Sequence, residues 1–263
     1  MSVVNVDGLD IAYTAAGAGA PVVLVHGLAE DRHSWAVQQR ELTELRTFAY
    51  DQRGHGETPP GDGDGTLEQL GRDLLGFIEQ VTGPAAVVGF SLGGAVALWA
   101  AAERPDLVDR AIVLGTSSVV GRAAAAFYAD RIEKATDTRS AEFRAALRDD
   151  TAAALAIAHE RLDEVVAGRL AAVGDGRGYI NAARAMAALH GAPLTPRLAD
   201  IRTHVDVVAA TADTFCPPKA SAIITHALAD VTYHEIPGAG HLMNVDAPGA
   251  VTGVLRTTLI GRT

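Results

Sequence analysis

Short apolar runs alternate along this chain with longer segments in which apolar residues recur at helical spacing. The runs are rich in Val, Ala and Leu and hold few polar residues, a composition typical of strands that are covered on both faces. Strands that alternate with helices predict a mostly parallel sheet with helices on both of its faces. The runs begin as PVVLV at Pro21, RTFAY at Arg46, AAVVGF at Ala85, VDRAIVL at Val108, HVDVV at His204 and VTYHEI at Val231.

The segments that flank these runs carry turn and helix signals. Asp7-Gly8 separates VVNV from LDIAYT, and this dipeptide predicts the two-residue turn of a hairpin. A stripe of Leu, Ile and Phe follows Thr66, which is placed to cap the start of a helix. Further helices are predicted at 34–45, at Leu92–Glu103 before Pro105, and from Pro248 onwards.

The alternation of strands and helices stops between Ser117 and Pro196. This stretch holds no convincing strand and is rich in Ala, Arg and acidic residues, with helical patches near 122–135, 140–158, 161–173 and 179–190. Because strands resume after it, we interpret it as an insertion into one domain. We predict a core of residues 1–116 and 197–263 and a helical lid at 117–196. The Lys and Arg side chains of the lid are expected to face solvent.

One serine lies where a predicted strand meets a predicted helix, in the segment GFSLGG. A direct connection from strand to helix forces a sharp turn, and the residue at its apex, Ser91, must adopt strained backbone angles. The positions two before and two after it must be small, and Gly89 and Gly93 occupy them. This G-x-S-x-G pattern is that of a nucleophile elbow, which presents its hydroxyl at the positive end of a helix. We therefore predict that Ser91 is a nucleophile.

A serine hydroxyl needs a base, and the base needs an acid to orient it. Of the nine histidines, His241 follows the last predicted strand in the glycine-rich loop PGAGHLMN. Asp213 ends the preceding strand, so both side chains are expected at the carboxyl edge of the sheet. The chain order Ser91, Asp213, His241 is the order that this type of elbow requires. Other acids nearby lie at the opposite end of a strand or in connections: Asp206, Asp200 and Asp230.

These features make the chain similar to the α/β-hydrolase family, and the similarity covers almost the whole chain outside the lid. VHGL resembles the family's oxyanion loop, DQRGHG the loop after its next strand, TADTFCPP its acid loop and GAGHLMN its histidine loop. The resemblance implies the α/β-hydrolase fold and hydrolysis at Ser91 without a cofactor or metal. It also implies an oxyanion hole formed by the backbone N–H groups of Leu28 and Leu92.

Three side chains are candidates for the wall of the substrate pocket. Phe90 adjoins the nucleophile, and Trp35 matches a position that often flanks the pocket in similar enzymes. The alternative for both aromatic residues is packing in the core. His33 precedes Trp35 by two positions and lies either at the pocket mouth or in solvent. His26 is expected to fix the oxyanion loop by a hydrogen bond.

The composition narrows the range of partners. The 32 acidic and 22 basic residues give a net charge of −10, and a chain without a basic cluster is a poor partner for nucleic acid. No apolar run approaches the length of a membrane span, and the first residues lack the pattern of a signal peptide. The single cysteine, Cys216, fits a reducing compartment, so a cytoplasmic location is expected. The expected partner is a small-molecule substrate, and the expected state is a monomer or homodimer.

The reaction that these residues favour is hydrolysis of a carboxylic ester or lactone of a small organic substrate through an acyl-enzyme on Ser91. Carbon–carbon bond hydrolases and cofactor-free perhydrolases use the same three residues, so both stay open as alternatives. A ligand-binding receptor or a lyase on this scaffold is the alternative from a different class. The serine argues against the similar haloalkane dehalogenases and epoxide hydrolases, which carry aspartate at this position.

Overall fold

An eight-stranded sheet runs through the centre of the computed structural model, which describes residues 1–261. The strands are β1 Ser2–Val6, β2 Leu9–Ala16, β3 Pro21–Val25, β4 Arg46–Tyr50, β5 Ala85–Phe90, β6 Val108–Leu114, β7 His204–Ala210 and β8 Val231–Ile236. They lie side by side in the order β1-β2-β4-β3-β5-β6-β7-β8. β2 runs antiparallel to both of its neighbours, and every other neighbouring pair is parallel. The predicted mostly parallel α/β sheet is therefore confirmed.

The central strands bury side chains on both faces of the sheet. Along β3, Val23 and Val25 join the apolar cluster on one face, whereas Val22 and Leu24 join the cluster on the other. Neighbouring residues of β5, β6 and β7 divide between the two clusters in the same way. Because helices cover each face, these strands need no polar side, which explains their nearly unbroken apolar sequence.

Within residues 1–261, ten α-helices connect and cover the strands. They are α1 Ala36–Glu41, α2 Leu67–Phe77, α3 Leu92–Glu103, α4 Arg122–Lys134, α5 Ala141–Ala154, α6 Leu162–Val173, α7 Arg177–Ala188, α8 Pro218–Ala227, α9 Met243–Asp246 and α10 Pro248–Leu259. The cluster on one face includes residues of α2, α3 and α8, and the cluster on the other includes residues of α10. Among residues 1–261, none of the helices combines the length and the apolarity that are needed to cross a bilayer.

Some of the helices agree with the prediction from the sequence, and others do not. Thr66 caps α2 as predicted, because its Oγ1 accepts a hydrogen bond from the Gln69 N–H at 3.1 Å. The single helix predicted at 34–45 is instead a 3₁₀ turn at Arg32–Trp35 followed by the short α1. The sequence also did not reveal α8, whose β-branched Ile and Thr residues weaken the helical signal.

The stretch between β6 and β7, which is fully described, contains helices and no strand. α4–α7 start and end close to the four patches that the sequence marks as helical. They share a small apolar core of their own, which includes Phe143, Leu147, Val173 and Tyr179. Ala29, in the loop after β3, also belongs to this core, so the four helices pack against the carboxyl edge of the sheet. The division of the chain into core and lid domains stays a prediction.

Close packing between α2 and α3 gives a testable consequence at Gly71. A Cβ atom at this position would lie 2.0 Å from Cε3 of the Trp99 ring, which is almost fully buried. We expect Gly71→Ala to lower the free energy of unfolding by about 1–3 kcal/mol in urea titrations, because an overpacked core strains its neighbours. The matched control is Gly168→Ala in α6, where a Cβ would meet no atom within 4 Å. This control should instead raise the free energy by about 0.5–1 kcal/mol. Equal effects of the two substitutions would contradict the packing account.

Candidate active site

The turn between β5 and α3 places Ser91 at the carboxyl edge of the sheet. Its backbone has φ 51° and ψ −117°, a left-handed conformation that non-glycine residues rarely adopt. A Cβ at Gly89 would lie 2.2 Å from the Gly93 carbonyl oxygen, and one at Gly93 would lie 2.3 Å from the Val25 carbonyl oxygen. The two glycines are therefore required because backbone meets backbone on both sides of the serine.

A chain of hydrogen bonds joins Ser91 to residues on two other loops. His241 Nε2 lies 3.0 Å from Ser91 Oγ, and His241 Nδ1 lies 2.8 Å from Asp213 Oδ2. Asp213 follows β7 and His241 follows β8, so both reach the same edge of the sheet as the serine. The second carboxylate oxygen of Asp213 accepts backbone N–H groups of Phe215 and Cys216, each at 2.8 Å. These two bonds fix the plane of the carboxylate that orients the imidazole.

The other acidic candidates lie away from this chain of hydrogen bonds. Within β7, Asp206 accepts a hydrogen bond from Arg110 Nε at 2.7 Å and lies 2.8 Å from His234 Nε2. Asp230 lies 2.7 Å from His204 Nδ1, and Asp200 ends a 3₁₀ helix before β7. Asp213 is the acid that the structure brings to His241. Among residues 1–261, no group of three or more His, Cys, Asp and Glu side chains is arranged to hold a metal ion.

The loop after β3 lies beside the serine and is tightly constrained. Ala29 has a positive φ of 61°, and the Gly27 N–H donates to Glu30 Oε2 at 3.0 Å. Leu28 lines the same cavity as Ser91. Leu92 is the first residue of α3, where backbone N–H groups have no partner inside the helix. The expected roles of Leu28 and Leu92 as oxyanion donors stay predictions.

His26 anchors this loop to the segment after β4. Its Nδ1 donates to the Gly27 carbonyl oxygen at 2.8 Å, and its Nε2 accepts the Gln52 N–H at 2.9 Å. Burial lowers the pKa of His26 to about 4, and burial also lowers the pKa of the adjacent His55 to about 3. Both imidazoles are therefore neutral at pH 7, and His26 holds the loop through one fixed tautomer.

A cavity of about 360 Å³ opens onto the hydrogen-bonded chain. Its walls are mainly apolar and aromatic, and its polar groups include Asp150, Arg169 and Tyr179. Phe90 lines the cavity, and the centroid of its ring lies 5.1 Å from that of His241; its role as a substrate-pocket residue stays a prediction. The remaining lining residues are Leu28, Ser91, Ala123, Ala124, Phe127, Tyr128, Ala154, Thr214, Phe215, Cys216, His241 and Leu242.

Two of the expected pocket residues do not line this cavity. Trp35 is fully buried and belongs to the same apolar cluster on one face of the sheet as Leu24 and Leu42, so its ring is part of the core. The His33 side chain is 66% exposed, and its Nδ1 lies 3.1 Å from Asp31 Oδ1. The 3₁₀ turn that replaces the predicted helix start turns this imidazole to solvent.

The sequence did not predict that side chains from the predicted lid line the cavity. The expectation that lid arginines face solvent is wrong for Arg169, which lines the cavity. A signal was present in the sequence, because Arg169 falls on the same side of α6 as the buried Val166 and Val173. Asp150 in α5 was also missed, and no pattern in the sequence links it to the serine.

Asp246 ties the lid to the histidine loop. Its carboxylate accepts four backbone N–H groups, from Ala156, Ile157 and Ala158 between α5 and α6 and from Gly240 beside His241, at distances of 2.8 to 3.1 Å. Burial alone would raise the pKa of Asp246, but these four hydrogen bonds hold it below its usual range. The ionised carboxylate is therefore the form that fastens the two segments together.

We expect Asp246→Asn to lower the free energy of unfolding at pH 7 by about 1 kcal/mol, because its single amide oxygen cannot accept all four of these part-buried or exposed N–H groups. Because the pKa of Asp246 in the folded protein lies below the ordinary Asp value of about 3.9, its stabilisation is fully present at pH values above about 3.9 and is lost as the pH falls through the lowered pKa. The difference in free energy of unfolding between the variant and the wild type should therefore shrink at low pH. Urea titrations at several pH values measure it. The control is Asp163→Asn, whose side chain is 84% exposed. Equal losses for both variants would show that Asp246 has no special anchoring role.

Comparisons with known proteins agree with this architecture. A sequence model of the α/β hydrolase fold matches residues 20–248. The enol-lactonase from Burkholderia xenovorans LB400 is 26% identical and superposes with a TM-score of 0.86 over 97% of this chain and 98% of that one. A thermophilic esterase from Thermogutta terrifontis, solved with malate bound, is also 26% identical, with a TM-score of 0.83 over 98% of this chain and 96% of that one.

Similar curated proteins, such as the following hydrolase, match part of the chain. The 2-hydroxy-6-oxo-6-(2'-aminophenyl)hexa-2,4-dienoic acid hydrolase of Metapseudomonas resinovorans is 32% identical over 123 residues, which make up 44% of this chain and 42% of that protein. The chain spans less than half the length of the curated relatives it matches. The fold match over residues 20–248 covers most of the sequence and includes the serine turn and the histidine loop. The chain belongs to the α/β hydrolase fold family.

Proposed function

We propose that this chain is a serine hydrolase that cleaves a carboxylic ester or lactone through an acyl-enzyme on Ser91. The observation that carries the proposal is the continuous hydrogen-bonded chain from Ser91 Oγ through His241 to Asp213, with contacts of 3.0 and 2.8 Å. A base within hydrogen-bond distance of the hydroxyl, and an acid within the same distance of the base, form the arrangement that activates a serine.

The reaction follows from these positions. His241 Nε2 takes the proton of Ser91 as Oγ attacks the substrate carbonyl carbon, and the imidazolium is stabilised by Asp213. The N–H groups of Leu28 and Leu92 donate to the oxyanion that forms. The imidazolium then gives its proton to the leaving oxygen, which leaves an ester of the acyl group with Ser91. Water, deprotonated by the same histidine, hydrolyses that ester and restores the serine.

Cys216 is the other potential nucleophile in the cavity wall. Burial raises the pKa of its thiol well above the usual range, and the nearby Asp213 carboxylate raises it further. The thiol therefore stays protonated at neutral pH, and a protonated thiol is a poor nucleophile. Ser91 differs, because its hydroxyl already contacts a base. The site therefore favours nucleophilic attack by the serine over attack by the cysteine.

The cavity and the similar structures support an ester or lactone of modest size. A volume of about 360 Å³ is at the lower end of the range for small-molecule sites. Apolar walls suit a substrate whose acyl or ring portion is hydrocarbon. The esterase and the enol-lactonase described above, each 26% identical over nearly the whole chain, act on these bond types by their names.

Hydrolysis of a carbon–carbon bond next to a ketone is the second candidate. The relative from Metapseudomonas resinovorans supports it, because the name of its substrate includes a 6-oxo group and no ester. The same serine, histidine and aspartate would serve this reaction. Turnover of matched ester and ketone substrates by the purified protein distinguishes the two.

Kinetics of 4-nitrophenyl ester hydrolysis test the proposal. We expect Ser91→Ala to lower kcat at least about 10⁴-fold, because the whole acyl-enzyme route is lost. The control is Ser221→Ala in α8, a buried serine whose hydroxyl has no hydrogen-bond partner among the described residues. This control should retain wild-type turnover. Retention of turnover by purified, folded Ser91→Ala would exclude Ser91 as the nucleophile.

A further inference from the structure

Arg169 brings a positive charge into the cavity from the lid. It lies on α6 and lines the cavity together with Ser91 and His241. Its Nη1 donates to Thr151 Oγ1 at 2.9 Å, and its Nη2 donates to the Leu28 carbonyl oxygen at 3.3 Å. Both acceptors are uncharged, so these bonds position the guanidinium and do not neutralise it.

The charge of Arg169 has no carboxylate partner among residues 1–261, where no acidic oxygen lies within 4.0 Å of the guanidinium. The other acid in the cavity wall, Asp150, is already paired: Arg131 Nε and Nη2 each donate to one of its oxygens at 2.7 Å. Burial raises the pKa of the nearby Glu30 and the Arg169 charge lowers it, so these two side chains interact electrostatically without direct contact, while Glu30 Oε2 accepts the Gly27 N–H. A partly buried guanidinium that no carboxylate contacts directly is incompletely compensated, and an anionic ligand in the cavity would complete the compensation.

The donors of Arg169 suit a carboxylate. A guanidinium has five N–H groups in a planar fork, of which two are used, and Nε is a buried donor without an acceptor in the described part of the chain. This fork matches the two oxygens of a carboxylate. A single arginine in mainly apolar walls offers too few donors for a phosphate dianion, so the smaller monoanion is the better match.

We propose that the substrate of this site carries a carboxylate that Arg169 binds while its ester or lactone carbonyl lies at Ser91. The hydrocarbon between the two groups would pack against the aromatic walls formed by Phe127 and Phe215. This inference rests on the proposed hydrolase function and narrows its substrate class to anionic esters or lactones. Arg169 is then a binding residue that also holds the oxyanion loop through the Leu28 carbonyl.

Two matched pairs of esters test the proposal. The first pair places the carboxylate on the acyl side: the 4-nitrophenyl monoester of adipic acid against 4-nitrophenyl hexanoate. The second places it on the alcohol side: 5-carboxypentyl acetate against hexyl acetate. For at least one pair, the wild type should show a kcat/KM at least about tenfold higher for the anionic ester, as a charge-assisted, bidentate contact would give.

Variants assign the preference to Arg169. Arg169→Gln should reduce the ratio of anionic to neutral kcat/KM to about one, mainly through KM, and Arg169→Lys should keep an intermediate ratio because it keeps the charge without the fork. The control is Arg148→Gln, which removes a half-exposed arginine from lid helix α5 and should keep the wild-type ratio. A wild type without preference in either pair overturns the proposal, as does an unchanged ratio in Arg169→Gln.

A binding measurement separates this proposal from the hydrolase proposal. Calorimetric titration of Ser91→Ala protein with adipate and with 1,6-hexanediol requires no turnover. Binding of adipate without binding of the diol supports the carboxylate site even if no ester is hydrolysed, and equal or absent binding contradicts it. If the wild type hydrolyses neutral esters and shows no preference for the anionic ones, the hydrolase proposal stands and only the proposed substrate class is wrong. If Arg169→Gln does not fold, the wild-type ratio and this titration decide the question.

Discussion

The backbone turn at Ser91 is the constraint on which the rest of the site depends. A left-handed φ of 51° at a residue with a side chain is unfavourable, and it persists because β5 and α3 are held rigidly on either side. α3 is buried along nearly its whole length, and the Ser91 N–H is fixed by the Leu114 carbonyl oxygen at 2.9 Å. The packing of the central sheet therefore determines where the hydroxyl points, and the loops that contribute its partners must reach it.

The order of the strands brings those loops together. β3, β5, β7 and β8 are parallel, so the segments that follow them meet at one edge of the sheet and supply Leu28, Ser91, Asp213 and His241. The helices of the predicted lid, residues 117–196, pack over this edge and are held by two kinds of contact. Asp246 binds backbone N–H groups of the lid and of the histidine loop, and Arg169 reaches from the lid to the Leu28 carbonyl oxygen. The shape of the cavity and the geometry of the serine site are thus linked through the same residues.

The parts of the structure that follow from local sequence could be predicted. The sheet, the hairpin at Asp7-Gly8, the limits of α3 and the relative positions of Ser91, Asp213 and His241 depend on periodicity, glycine placement and chain order, all of which one sequence displays. The cavity wall could not be predicted in the same way. Trp35 and His33 were placed by position alone, and a short 3₁₀ turn sent one to the core and the other to solvent. Arg169, Asp150 and Asp246 act through contacts with segments distant in the chain, and periodicity carries no information about which distant segments meet.

The activated state of Ser91 is the central claim, and a covalent probe measures it directly. Intact-protein mass spectrometry after exposure to a fluorophosphonate should show one adduct on the wild type and none on Ser91→Ala, because the serine must be deprotonated by His241 to displace fluoride. Peptide mapping should place that adduct on Ser91. A folded wild-type protein that forms no adduct, or an adduct that persists in Ser91→Ala, would contradict the account.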